Sequence, residues 1–392
     1  MSMALCIHNA TVIAGYARMD RSAVLVDDGE IVDVFSEHRF KQKHFGAEVR
    51  LIDAQGANLM PGLIDTHIHG FGGFGTEDMQ ASSILAMSSM LPQWGVTGFV
   101  PTVYPMAEAD MLTAIRAIVQ AMGHEEGATI LGIHLEGPFI SPLQLGVQRV
   151  EYVRAVDLQL MQRLWEASEG TIVSMTVAPE LKGMRELALF CTRLGIVLQA
   201  GHTDARYENM LEGMQVGIRH ATHVFNAMSR MHHRNPNASG AVLIQPDLSC
   251  EIIADGLHVH PDLVRLIFRD KPESNIVLVT DALKPTKQQS EPFIANNEEV
   301  YLADNLFYRV SDGVIAGSSL TMVEGVRNLV RFGIPLETAV KTASANPARI
   351  FGFRKRGIIG PGYRADLVLV DADFMVRLCL VEGRTLYEEG IA

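Results

Sequence analysis

Between residues 59 and 280 the chain repeats one alternation: a short apolar run, then a stretch with helical spacing. The runs are Leu59–His67, Thr97–Thr102, Ile130–Leu135, Ile172–Val177, Ile196–Ala200, His220–Val224, Glu251–Ala254 and Asn275–Thr280. The intervening helical stretches include Ser82–Gln93, Glu108–Met122, Val156–Ala167, Gly183–Leu194, Ala205–Val216 and Pro261–Phe268. Eight strands joined by helical crossovers predict an α/β chain with a (β/α)8 barrel. The flanks read differently. Ala4–Ile13, Ala23–Asp27, Glu30–Phe35 and Val49–Asp53 are strand-like, with a hairpin turn at Asp27-Asp28-Gly29-Glu30. After the eighth run, residues 283–317 are polar and irregular, with a hairpin expected at Val300–Val310, and helices follow at Ser319–Arg331 and Pro335–Asn346. Strands return at Ala365–Val370, Arg377–Val381 and Arg384–Tyr387. The expected layout is a barrel at 58–349 inserted into a small β-sandwich domain made of residues 1–57 and 350–392.

Composition bounds the partners. Of 392 residues, 48% are hydrophobic and 20% charged, as in an ordinary globular protein. No apolar run approaches the roughly 20 residues of a membrane span. Met1–Ala10 has neither the basic start nor the apolar centre of a signal peptide. The net charge of −12 argues against a nucleic-acid partner, though not against a small phosphorylated molecule, for which a few local cations suffice. Cys6, Cys191, Cys250 and Cys379 show no paired spacing. They read as reduced core thiols, and the cytoplasm is the expected compartment.

The chemistry sits where the strands end. Barrel active sites lie at the C-terminal rim of the strands. Here the rim carries His67 and His69, then His134-Leu135-Glu136, Gly201-His202, Thr222-His223, Asp255-Gly256-Leu257-His258 and Thr280-Asp281. Side chains alternate along a strand, so His67 and His69 face one way, roughly 7 Å apart. One histidine at a strand end is more often hydrogen-bonded than ligating. Four histidines, a glutamate and an aspartate on one rim predict a metal site. Nitrogen and carboxylate donors without cysteine suit zinc, iron(II) or cobalt. Such an ion polarises a carbonyl and acidifies bound water. Asp281 can then relay a proton to a leaving nitrogen, act as a further ligand, or do both. The implied reaction is hydrolysis of an amide or a related bond.

These motifs resemble the amidohydrolase superfamily and, within it, the N-acetylglucosamine-6-phosphate deacetylase family. The similarity runs through Pro61–Gly70, His134–Ile140, Ala200–Ala205, Thr222–Met228, Ala254–His258, Thr280–Ala282 and Gly317–Met322, and extends over Val323–Val330 and Asn346-Pro347-Ala348. The resemblance implies that Glu136, His202 and His223 hold a principal ion, and that His67 and His69 help hold a second. Asp281 maps to the general base and acid. Asn226, Ala227, Arg234 and His258 map to contacts with the sugar phosphate. It also implies a phosphorylated N-acetyl amino sugar as substrate, and a homodimer. Two departures stand out. Where the family has a histidine beside the acetamide, this chain has Gln148, which can donate a hydrogen bond but carries no charge. The loop Leu283–Lys287 lacks the small glycine-containing stretch expected there, which leaves the galactosamine epimer open. Another amide, or a non-catalytic barrel that binds a sugar phosphate, are the rival readings.

Overall fold

The structure, a computed structural model, describes residues 4–15 and 17–390; the outermost residues of the expected end domain, 1–3 and 391–392, lie outside them. The barrel strands are Leu63–Ile68, Val96–Val103, Ile133–Glu136, Ile172–Val177, Val197–Ala200, Ile218–Ala221, Ser249–Ile253 and Ile276–Val279. They pair in parallel in chain order. Closure between the eighth strand and the first is sparse. It rests on a single bridge between Ile68 and Ala282, and on backbone bonds from Asp281 to His67 (3.0 Å) and from His69 to Ala282 (2.9 Å). The buried Asp65 completes it by accepting from the Thr280 hydroxyl at 2.6 Å.

Where a β-sandwich was expected, strands from both ends of the chain form one eight-stranded sheet. Its order is Arg384–Glu388, Val376–Val381, Leu367–Val370, Asn58–Pro61, Leu5–Ile13, Arg18–Asp27, Glu30–Ser36, with Arg50–Asp53 alongside Leu5–Ile13. The period-2 alternation of strands decides what each face touches. Leu367, Leu369, Leu378 and Leu380 join Ile7, Val12 and Val24 in the core of this sheet. Val368, Val370 and Cys379 point the other way and join the barrel core with Met60. No helix among the described residues is long and apolar enough to cross a membrane.

Three elements depart from the sequence reading. The single strand expected at Leu59–His67 is two, Asn58–Pro61 in the end sheet and Leu63–Ile68 in the barrel. Gly62 makes the switch, because a Cβ there would lie 2.0 Å from the Thr97 hydroxyl oxygen. The irregular segment is a four-stranded antiparallel sheet, Phe293–Ala295, Glu298–Ala303, Leu306–Arg309 and Ile315–Ser318. Its first two hairpins turn on Asn296-Asn297 and Asp304-Asn305, all four with positive φ, the geometry that two-residue turns require. The helix Asn237–Ile244 had no amphipathic signal, because Ala238 through Val242 are all buried.

Candidate metal centre and active site

The barrel rim delivers the expected histidines and carboxylates to one spot. Glu136 closes the third strand and is 2% exposed. Its Oε1 lies 3.0 Å from both His202 Nε2 and His223 Nε2, and 3.5 Å from His67 Nε2. Its Oε2 lies 3.3 Å from His69 Nε2. Burial alone would push the Glu136 carboxyl up, but the surrounding His202, His223 and His67 hold it well below the usual carboxylate range. Asp281 Oδ1 stands 3.6 Å from His67 Nε2 and 3.5 Å from His69 Nε2. Two ligand groups result, Glu136 with His202 and His223, and His67 and His69 with Asp281; within each, the candidate atoms lie within 4.8 Å of one another.

The donor set fits a divalent ion. Tetrahedral coordination with 2.0–2.1 Å bonds spaces its donors about 3.3 Å apart, close to these separations. His67 Nε2 is fully buried and has no hydrogen-bond partner, although two carboxylates approach it at ion-pair distance. A buried imidazole nitrogen facing carboxylates just beyond bonding reach has the geometry of a ligand around a central charge.

The backbone is bent to aim these groups. His202, His223 and Asp281 have φ of 44°, 22° and 50°, and Phe225 and Ala227 are also left-handed. Each such residue costs on the order of 1–3 kcal/mol and needs its surroundings to enforce it. Here Val224 N–H donates to the Glu251 carbonyl at 2.9 Å, Asn226 N–H to the His223 carbonyl at 3.0 Å, and Thr203 N–H to the Ala227 carbonyl at 3.1 Å. Tyr104 lies flat on His69, ring centroids 3.7 Å apart and planes 8° apart, fixing one face of that ligand. His134, at the same rim, is tied between Thr102 and Thr176 and kept neutral by burial.

A cavity of about 400 Å3 opens onto the centre, lined among others by Asp281, Gln148, Asn226, Ala227, His258 and Arg230. Gln148 is buried, and its Nε2 donates to Glu136 Oε2 at 2.5 Å while its Oε1 has no partner. Asn226 is held by the carbonyls of His223 and Val224. His258 pairs through Nδ1 with Asp255 at 2.6 Å. Arg234 does not line this cavity; it is exposed, sits 2.9 Å from His233, and faces a neighbouring polar cavity with Asp204, Arg206 and Tyr207. His232 and His233 are exposed beside it. The arginine that lines this cavity is Arg230, to which the sequence reading gave no role. Glu251 was also missed as a site residue; the signal was a lone carboxylate in an apolar strand, Cys250-Glu251-Ile252-Ile253.

Known proteins share this fold. Residues 58–386 match the model of the amidohydrolase family. The chain belongs to the amidohydrolase family. Within that family it is 32% identical to an N-acetylglucosamine-6-phosphate deacetylase of Bacillus subtilis, covering 99% of this chain and 98% of the relative. It is also 30% identical to an N-acetylgalactosamine-6-phosphate deacetylase of Escherichia coli O157:H7, over 83% of this chain and 87% of that one. Among solved amidohydrolases, the N-acetylglucosamine-6-phosphate deacetylase of Pasteurella multocida superposes with a TM-score of 0.91 at 29% identity, covering 97% of this chain and 99% of that one.

Proposed function

We propose that this amidohydrolase removes the acetyl group from an N-acetylhexosamine 6-phosphate, N-acetylglucosamine 6-phosphate first, giving the amino sugar phosphate and acetate. One observation carries the reading. Asp281 stands 3.5–3.6 Å from His67 and His69 at a cavity whose other lining includes the amide side chains of Gln148 and Asn226 and the cation Arg230, groups suited to a sugar phosphate. Glu136, His202 and His223 hold one divalent ion, with His67 and His69 contributing to a second; zinc suits the donors best, and iron(II) or cobalt fit the same set. A bound ion supplies Lewis acidity and a water that ionises near neutral pH.

The side chains do the rest. Asp281 accepts a proton from the attacking water as its oxygen bonds to the acetamide carbon. It returns that proton to the nitrogen as the carbon–nitrogen bond breaks, so the amine leaves neutral and acetic acid remains, which ionises to acetate and gives its proton up to the amine or to solvent. Gln148 orients Glu136 through its amide N–H and leaves its oxygen free for the acetamide N–H. Asn226, Ala227 and His258 hold the phosphate end. Arg230 adds charge from the same subunit, and Arg234 contributes from a second subunit of a homodimer, whose formation is part of this proposal. The 58–349 barrel is read as the catalytic unit, and the chain ends as its support. A cytoplasmic setting is supported by the four cysteines, all free and buried.

The test is acetate release by the zinc-loaded protein from N-acetylglucosamine 6-phosphate, its galactosamine epimer and unphosphorylated N-acetylglucosamine. Turnover confined to the phosphorylated sugars and favouring the glucosamine form is the expected result. The E. coli relative makes the galactosamine epimer the second reading, and a preference for it would rename the substrate. No turnover on any of the three would remove the deacetylase reading.

A further inference from the structure

Glu251 occupies the middle of the seventh barrel strand, Ser249–Ile253, and is completely buried. Its strand neighbours Cys250, Ile252 and Ile253 belong to the apolar core. A carboxylate in such a place is costly unless it is ionised against a partner and hydrogen-bonded. Its Oε2 does both: it lies 3.0 Å from His67 Nδ1 and accepts the backbone N–H of His223 at 3.2 Å. Its Oε1 has no hydrogen-bond partner, the nearest imidazole nitrogen being His220 Nε2 at 3.8 Å. The two residues that Glu251 engages belong to different ligand groups.

The contacts are unequal in kind. His67 is gripped by its side chain, His223 only by its backbone. A neutral imidazole carries one N–H, and the hydrogen bond made by one nitrogen decides which nitrogen keeps its lone pair. With Nδ1–H committed to Glu251, the lone pair of His67 is on Nε2, the atom that faces Glu136 at 3.5 Å and Asp281 at 3.6 Å. The opposite tautomer would aim a proton at the centre and put a lone pair against a carboxylate. The ring is further bounded by His134, edge-on at 4.7 Å, so Glu251 sets the tautomer inside a slot that already limits rotation.

We infer that Glu251 is a positioning residue of the metal centre: by fixing the tautomer of His67, it sets the affinity of the ion held with His69 and Asp281 far more than that of the ion held by Glu136, His202 and His223. The inference rests on the proposed metal dependence but not on the identity of the substrate. Carboxylate partners of ligating histidines are generally worth 10–100-fold in metal affinity. His220, on the far side of Glu251, bonds Ser249 through Nδ1 at 2.6 Å and does not compete for the same oxygen.

The test is calorimetric titration of metal-free protein with zinc, and separately with cobalt followed by its visible absorption. Wild type, Glu251→Gln and Glu251→Ala are compared, with thermal unfolding as the control for folding. The alanine variant is expected to weaken the second binding event about 10–100-fold and leave the first within about threefold. The glutamine variant, which keeps an acceptor for His67 Nδ1–H, is expected to lose less. Equal weakening of both events, or unchanged affinities in a folded alanine variant, would overturn the inference. If the alanine variant fails to fold, the glutamine variant is read by the same criterion. Nitrogen-15 NMR of the zinc-loaded wild type gives a reading independent of ion count: His67 protonated at Nδ1 is expected, and a proton on Nε2 sinks the idea. Failure of wild type to bind any divalent ion would instead count against the proposed function.

Discussion

The two ligand groups share a rim and a glutamate but are built to different standards of enclosure. The group of Glu136, His202 and His223 is buried throughout, with Glu136 Oε1 at 3.0 Å from both imidazoles. The group of His67, His69 and Asp281 pairs two buried histidines with a carboxylate whose side chain is 14% exposed, and its spacings are 3.5–3.6 Å. A closed group is suited to holding an ion. A group with one acid turned toward the cavity is suited to exchanging protons with what enters it. On the proposed reading, burial, more than residue type, separates holding from reacting on this rim.

Changing Glu136 attacks both groups at once and has the largest expected effect. Glu136→Gln removes the charge facing all four imidazoles, so metal content should fall to near zero and turnover by roughly 10³-fold or more, given what an ion contributes to hydrolysis. Elemental analysis of the purified variant beside a rate assay checks this. A variant retaining a full metal complement would erase the contrast between the groups.

Asp281→Asn sharpens the contrast instead. The ion at Glu136, His202 and His223 should remain, while turnover drops roughly 10²-fold or more because the proton relay is gone. Near-normal turnover would mean that the exposed acid is not the reacting one.

The smallest effect concerns the wall behind His69. Burial pushes the Glu77 carboxyl up to about 7, beside Asn296 N–H, which donates to its Oε1 at 3.2 Å. A carboxyl with a raised folded value stabilises fully below the ordinary value of 4.5, and that contribution disappears as pH rises through about 7. Glu77→Gln should therefore flatten the decline of stability between about pH 5 and pH 7.5, a difference of up to roughly 3 kcal/mol at one unit per 1.36 kcal/mol. Denaturant titrations of both proteins across that range decide it. Asp65, also pushed up to about 7 by burial, keeps a residual slope in the variant.

Much of this was legible in the residues because a parallel barrel sends every strand end to the same rim. His67, His69, Glu136, His202, His223 and Asp281 therefore converge once the eight strands are recognised. What stayed hidden lacks a periodic signal. Glu251 shows in the sequence only as a lone carboxylate in an apolar strand, and its partner, 184 positions away in the chain, is not legible there. Arg230 and Arg234 sit in the same basic loop, and only the three-dimensional fold shows that Arg230 lines the cavity at Asp281 while Arg234 lines another. The four-stranded sheet after Asp281 was masked by polar edge residues. Its Asp304-Asn305 turn falls in the hairpin expected at Val300–Val310, whereas the Asn296-Asn297 turn was readable and went unread.

The pairing of Asn58–Pro61 with Leu367–Val370 has a consequence for how the protein is made. At a synthesis rate of about 5–20 residues per second, the partner of that strand emerges roughly 15–60 s after it. Throughout that interval the nascent chain carries an N-terminal sheet with an unsatisfied edge, while the barrel is assembled downstream of it. A stretch translated well after the barrel strands thus seals the earlier sheet, and a ribosome that stalls before residue 367 leaves a finished barrel attached to an open, adhesive sheet.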